Sequence, residues 1–121
     1  MRSWLVILVA MFLLPACGTV SDVPAIFLED NYFSPVLDSL TAGSNDSLTV
    51  VFRWGNTSNN HTITWDDGPG ILPEDSPSVS AGSFQVVLVP GTYHYHCAIH
   101  EAAYGMRGTI VVSPFTAAHA F

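Results

Sequence analysis

The sequence contains no lysine and three arginines, Arg2, Arg53 and Arg107, against ten carboxylates. A formal charge of −7 repels a phosphate backbone, so nucleic-acid binding is excluded. The same acidity favours basic partners, or simply keeps an exported protein soluble. Long apolar runs are missing too. Trp4 to Leu14 is unbroken, but it falls well short of the roughly 20 residues that span a bilayer. No stretch sustains a 3.6-residue apolar period, which argues against a helical bundle. There is no internal repeat of the kind that builds solenoids and propellers. Two cysteines, Cys17 and Cys97, are too few for a disulfide framework. Neither a nucleophile–base arrangement nor a substrate-pocket signature is present, so the sequence implies no enzyme and no small-molecule substrate.

What is there begins with an export signal. Arg2 supplies a positive n-region, Trp4 to Leu14 an apolar core, and small residues follow before Cys17. Leu14-Pro15-Ala16-Cys17 resembles a bacterial lipobox, in which the peptide is cut before the cysteine and the new terminus is acylated. Proline two places before the cut departs from the commonest pattern. The expected organisation is a lipoprotein signal peptide over 1–16, a lipidated tether over 17–24, one domain over 25–113 and a tail over 114–121. Lipidation of Cys17 implies an exported protein anchored to a bacterial membrane, periplasmic or on the outer face. The plainer alternative is an ordinary secretory signal with Cys17 as an incidental thiol. With Cys17 acylated, Cys97 stands alone where thiols normally pair, and metal ligation is one occupation that protects it.

Past Pro24 the apolar pattern has period two, broken by clusters of Gly, Pro, Asn, Asp and Ser. Ala25 to Leu28 is a candidate strand, followed by a turn at Glu29-Asp30-Asn31. Leu48 to Trp54 alternates, and His61, Ile63 and Trp65 share one face of the next strand, with Thr62 and Thr64 opposite. Phe84 to Val89, Tyr93 to Cys97 and Arg107 to Val112 complete the set. Asp66 to Ala81 reads as a loop with at most one turn of helix. Short strands at this spacing argue for an all-β sandwich or barrel.

The chemistry is concentrated between Gly91 and Val112, GTYHYHCAIHEAAYGMRGTIVV, which places Cys97, His100 and Met106 on one inter-strand loop. His61 stands upstream in NNHTITWDDG. One thiolate and two imidazoles with a weak axial thioether form the ligand set of blue-copper electron-transfer sites. Soft sulfurs stabilise Cu(I), imidazoles suit either oxidation state, and a stiff scaffold limits rearrangement when an electron moves. Taken singly, each residue has an ordinary explanation: a core histidine, an inert thiol, a thioether filling a gap. Their joint spacing is what points to one type 1 copper ion.

These residues resemble the plastocyanin, halocyanin and amicyanin group of cupredoxins. GTYHYHCAIH is similar to that family's aromatic-alternating strand running into Cys-x-x-His, Gly105-Met106-Arg107-Gly108 to its Gly-Met-x-Gly, and NNHTITWDDG to its first-histidine strand. The resemblance covers about Ala25 to Val112, including the aromatic-Pro segment Phe33 to Pro35. It implies a Greek-key β-sandwich of seven or eight strands with His61, Cys97, His100 and Met106 as metal ligands. It also implies one-electron exchange with respiratory or photosynthetic redox proteins through the His100 edge, flanked by Ala98, Ile99, Ala102, Ala103 and Tyr104. Two features depart from it. Five residues separate His100 from Met106, one more than in plastocyanins. Thr62 stands where plastocyanins have an Asn that ties the ligand loops together, leaving that task to Asn60 or Thr62.

Strand alternation turns Tyr93, Tyr95 and Cys97 inward, so His94 and His96 point outward. His96 occupies the position that supplies a second-copper ligand in copper nitrite reductases. A second metal at His94 and His96 would make the chain a nitrite-reductase or oxidase type of enzyme; solvated surface histidines are the plainer reading. A copper carrier is the remaining rival, although carriers use exposed, exchangeable ligands.

Overall fold

The computed structural model describes residues 23–55 and 57–116. The expected signal peptide, Cys17, most of the tether and the end of the expected tail lie outside them. The described residues form eight strands and one short helix: β1 (Ala25–Glu29), β2 (Tyr32–Ser34), β3 (Leu37–Thr41), β4 (Leu48–Trp54), β5 (Thr64–Asp67), β6 (Gly82–Leu88), β7 (Gly91–His96), α1 (Glu101–Tyr104) and β8 (Arg107–Ser113). They make two four-stranded sheets, in the orders β2-β1-β4-β6 and β3-β8-β7-β5. Both are mixed, with β1 parallel to β4 and β3 parallel to β8. Every connection from β2 to β7 crosses between the sheets, the over-and-back path of a sandwich.

The strands form where β-branched and aromatic residues alternate with polar ones, so that one face can be buried. Ile26, Leu28, Phe33, Val50, Phe52 and Trp54 from one sheet meet Trp65, Tyr93, Tyr95, Ile110 and Val112 from the other. Tyr95 is the hub of this layer. Phe33, Phe52 and Trp65 pack edge-on around it, with ring centroids 4.8, 5.3 and 5.4 Å away. Each such pair adds about 0.5–1.5 kcal/mol beyond its buried area. The ring lies so close over β8 that a Cβ at Gly108 would come within 2.4 Å of it, which is why the cross-strand partner of Tyr95 has no side chain.

The strand expected to open at His61 begins instead at Thr64. His61 sits just before it, in an isolated bridge with Val79. Asp66 and Asp67, expected in a loop, extend β5 through an irregular register after Trp65. No helix among the described residues is long and apolar enough to cross a membrane. Phe115, in the expected tail, is tied back by its N–H to Asp46 Oδ1 at 3.1 Å.

Candidate metal centre

His61, Cys97 and His100 meet at one end of the sandwich, their donor atoms all within 4.8 Å of one another. His61 comes from the segment entering β5, Cys97 from the end of β7, and His100 from the turn that follows. The Nδ1 atoms of His61 and His100 lie 3.8 and 3.5 Å from Cys97 Sγ. A trigonal ion with bonds of about 2.3 Å to sulfur and 2.0–2.1 Å to nitrogen requires sulfur–nitrogen separations near 3.8 Å, and a tetrahedral one slightly less. The three donors are therefore spaced to hold a single metal ion. Cys97 is free and fully buried, His61 is fully buried, and His100 is 9% exposed. A soft thiolate with two imidazoles suits copper, and zinc accepts such donors as well.

Each donor is braced. The backbone of His61 exchanges bonds with Val79, its N–H donating at 2.8 Å. The Trp54 indole donates to the His61 carbonyl at 3.1 Å, and His61 Nε2 stands 3.0 Å from Asp30 Oδ1. The Thr62 N–H points at Cys97 Sγ from 3.5 Å, and the Thr62 hydroxyl accepts the Ala98 N–H at 2.8 Å. Thr62, not Asn60, thus makes the tie between the ligand segments.

Cys97 to His100 is a tight turn in which the Cys97 carbonyl accepts the N–H groups of His100 and Glu101. The residues between His100 and Met106 wind into α1, and Gly105, in the left-handed region at φ 65°, ends it. The extra residue is absorbed as compact helix at about 1.5 Å of rise. The Cys97 N–H donates to the Met106 carbonyl at 3.0 Å, and Met106 is buried in the same core cluster as Cys97. Outside the trio, Ala98, Ile99, Ala102, Ala103 and Tyr104 are exposed around His100.

His94 is exposed and His96 partly so, and each stands against its own carboxylate. His94 Nδ1 bonds Asp67 Oδ1 at 2.6 Å. His96 Nδ1 stands 2.8 Å from Asp66 Oδ1 in a direction that forms no hydrogen bond, and its Nε2 faces Glu101 Oε1 at 3.8 Å. Glu101 is itself paired with Arg107 at 3.0 Å. An open polar groove of about 360 Å³ follows this face, lined in part by Asp66, Asp67, His94 and Glu101. Among the described residues, His61, Cys97 and His100 are the group whose donors come together for a metal.

Sequence reasoning missed Asp30 and Trp54. Asp30 is 31 positions from His61 along the chain. The available signal was the turn Glu29-Asp30-Asn31, whose Asn31 takes a positive φ of 82°. Parallel pairing of β1 with β4, Leu28 beside Trp54, is what carries that turn to the metal end.

No protein-family model and no curated protein matches the chain. Solved structures do. A copper-containing nitrite reductase from Thermus scotoductus SA-01 superposes with a TM-score of 0.62 at 23% identity over 84% of this chain. This chain spans 25% of that protein's length. An auracyanin from the photosynthetic bacterium Roseiflexus castenholzii gives 0.56 at 19% identity, covering 79% of this chain and 100% of the other. A Sinorhizobium pseudoazurin gives 0.56 at 24% identity, covering 79% and 77%. The fold is that of the cupredoxins, an all-β sandwich as the sequence pattern led us to expect.

Proposed function

We propose that the chain is a one-electron carrier that would hold one type 1 copper ion through His61, Cys97, His100 and Met106. The observation that supports it is the buried meeting of one thiol and two Nδ1 atoms within 4.8 Å, at spacings a single ion requires. Bound copper would supply a Cu(II)/Cu(I) couple. The protein's part is to hold the donors still. The Val79 bridge and Trp54 fix His61, and Thr62 fixes Cys97 against Ala98. A scaffold that keeps one donor geometry in both oxidation states leaves little to rearrange as the electron moves.

His100 is the donor nearest solvent, and Ile99 and Tyr104 beside it are 49% and 60% exposed. A small apolar rim of this kind suits brief docking with a redox protein of a respiratory or photosynthetic chain. The chain is not itself an enzyme in this reading, and it takes no small-molecule substrate. Acylation of Cys17 would hold it at a bacterial membrane, periplasmic or on the outer face, within reach of such partners.

Adding Cu(II) to the purified protein tests the reading. One copper per chain and an intense visible thiolate-to-copper absorption band are expected, with the band lost in Cys97→Ser. A colourless Cu(II) complex would overturn the type 1 assignment. Two coppers per chain with turnover of nitrite or oxygen would replace the carrier by an enzyme.

A further inference from the structure

Among the described residues, Asp30 is the carboxylate that reaches the donor trio. Its Oδ1 lies 3.0 Å from His61 Nε2, on the far side of the ring from the Nδ1 that faces Cys97. The same carboxylate accepts the N–H groups of Ser58 and Asn59 at 3.1 and 3.4 Å. Asp30 therefore clamps both the ring and the loop that leads into it. An ionised carboxylate only accepts hydrogen bonds, so Nε2 carries the proton and Nδ1 presents its lone pair toward Cys97 and His100.

We propose that Asp30 is a positioning residue for the metal centre: it fixes the tautomer of His61 and, as an anion, makes Nδ1 a stronger donor that favours the oxidised metal. This rests on the copper reading of the trio. A backbone carbonyl in that place would select the same tautomer but bring no negative charge. A carboxylate hydrogen-bonded to a ligating imidazole raises the basicity of the ligand, and removing such a partner typically lowers metal affinity 10–100-fold. The lower end of that range applies here, because the Asp30 side chain is 37% exposed and water damps its field, while His61 is fully buried.

Two substitutions and one metal-free measurement separate the roles. Asp30→Asn keeps the size and an acceptor oxygen but removes the charge, and Asp30→Ala removes both. In Asp30→Asn we expect Cu(II) affinity to fall about tenfold with Cu(I) affinity nearly unchanged. For one electron, that ratio is a rise of about 59 mV in reduction potential. A purely structural role would change stability and leave the Asp30→Asn potential at the wild-type value, which overturns the proposal. Ring-nitrogen NMR of metal-free wild type should find His61 protonated at Nε2, with mixed tautomers in Asp30→Ala; a proton on Nδ1 in wild type also overturns it. Should the protein bind no copper, the copper reading falls while the tautomer still decides the role of Asp30. Should Asp30→Ala not fold, wild type and Asp30→Asn carry the test.

Discussion

Thr62 joins the two halves of the donor trio through one small side chain. Its N–H faces the Cys97 sulfur, and its hydroxyl accepts the N–H of Ala98, so the segment carrying His61 and the loop carrying His100 are held in one register. Valine has nearly the same shape but no acceptor, and is not a neutral replacement. Thr62→Val should cost about 1 kcal/mol in urea unfolding of the metal-free protein, with most of it restored in Thr62→Ser. Equal stability of the Val and Ser variants would mean that the tie does not matter. At this scale the sequence was legible wherever chemistry is local: Cys97, His100 and Met106 share one loop, and their spacing shows it. Residue types alone left the tie between Asn60 and Thr62, and the backbone direction after His61 selects Thr62. Asp30 and Trp54 were not legible, because separation along the chain does not say which turn folds over which loop.

Elements were legible to the extent that burial is one-sided. β4, with its alternating Leu48, Val50, Phe52 and Trp54, has the expected bounds. β2 and β3 carried no such signal. β2 is three residues long, and β3 reads Leu-Asp-Ser-Leu-Thr with no fully buried position. Among the described residues β3 pairs only with β8, at the edge of its sheet, so main-chain bonding to a neighbour makes it a strand rather than its own pattern. Within it, Asp38 and Leu40 occupy the half-buried positions. A charge placed toward the core on an edge strand discourages pairing with another molecule and costs stability. Burial pushes the Asp38 carboxyl above its ordinary value, and the Ser39 N–H only partly opposes this. The sign follows: the folded state disfavours ionised Asp38, so the penalty is fully present above the raised pKa. It vanishes below the unfolded value of 3.8. Asp38→Asn should therefore stabilise the protein at neutral pH, and the gain should fade as pH falls through the raised pKa toward 3.8. A gain independent of pH between neutrality and acid would remove burial of the charge as its cause.

For the molecule as a whole, the missing lysines become a statement about rates. The net charge of −7 rests on ten carboxylates, and of the described cations Arg107 is already paired with Glu101. Asp30 stands at His61, and Glu101 follows His100 directly, while Asp66 and Asp67 lie on the face beyond His96. The surface at His100 is thus apolar at its centre and sits in a negative field. Such a field is felt over about 30 Å at 0.01 M salt and about 10 Å at 0.1 M. If electrons leave through that surface, a small cationic oxidant should react faster at low salt, and its rate should fall steadily over this range. An anionic oxidant of similar driving force should show the opposite slope. Stopped-flow appearance of the oxidised copper band, on mixing the reduced protein with each oxidant, measures both. Equal slopes for the two oxidants would mean that electrons leave elsewhere, and the apolar rim around His100 would lose its role as the docking face.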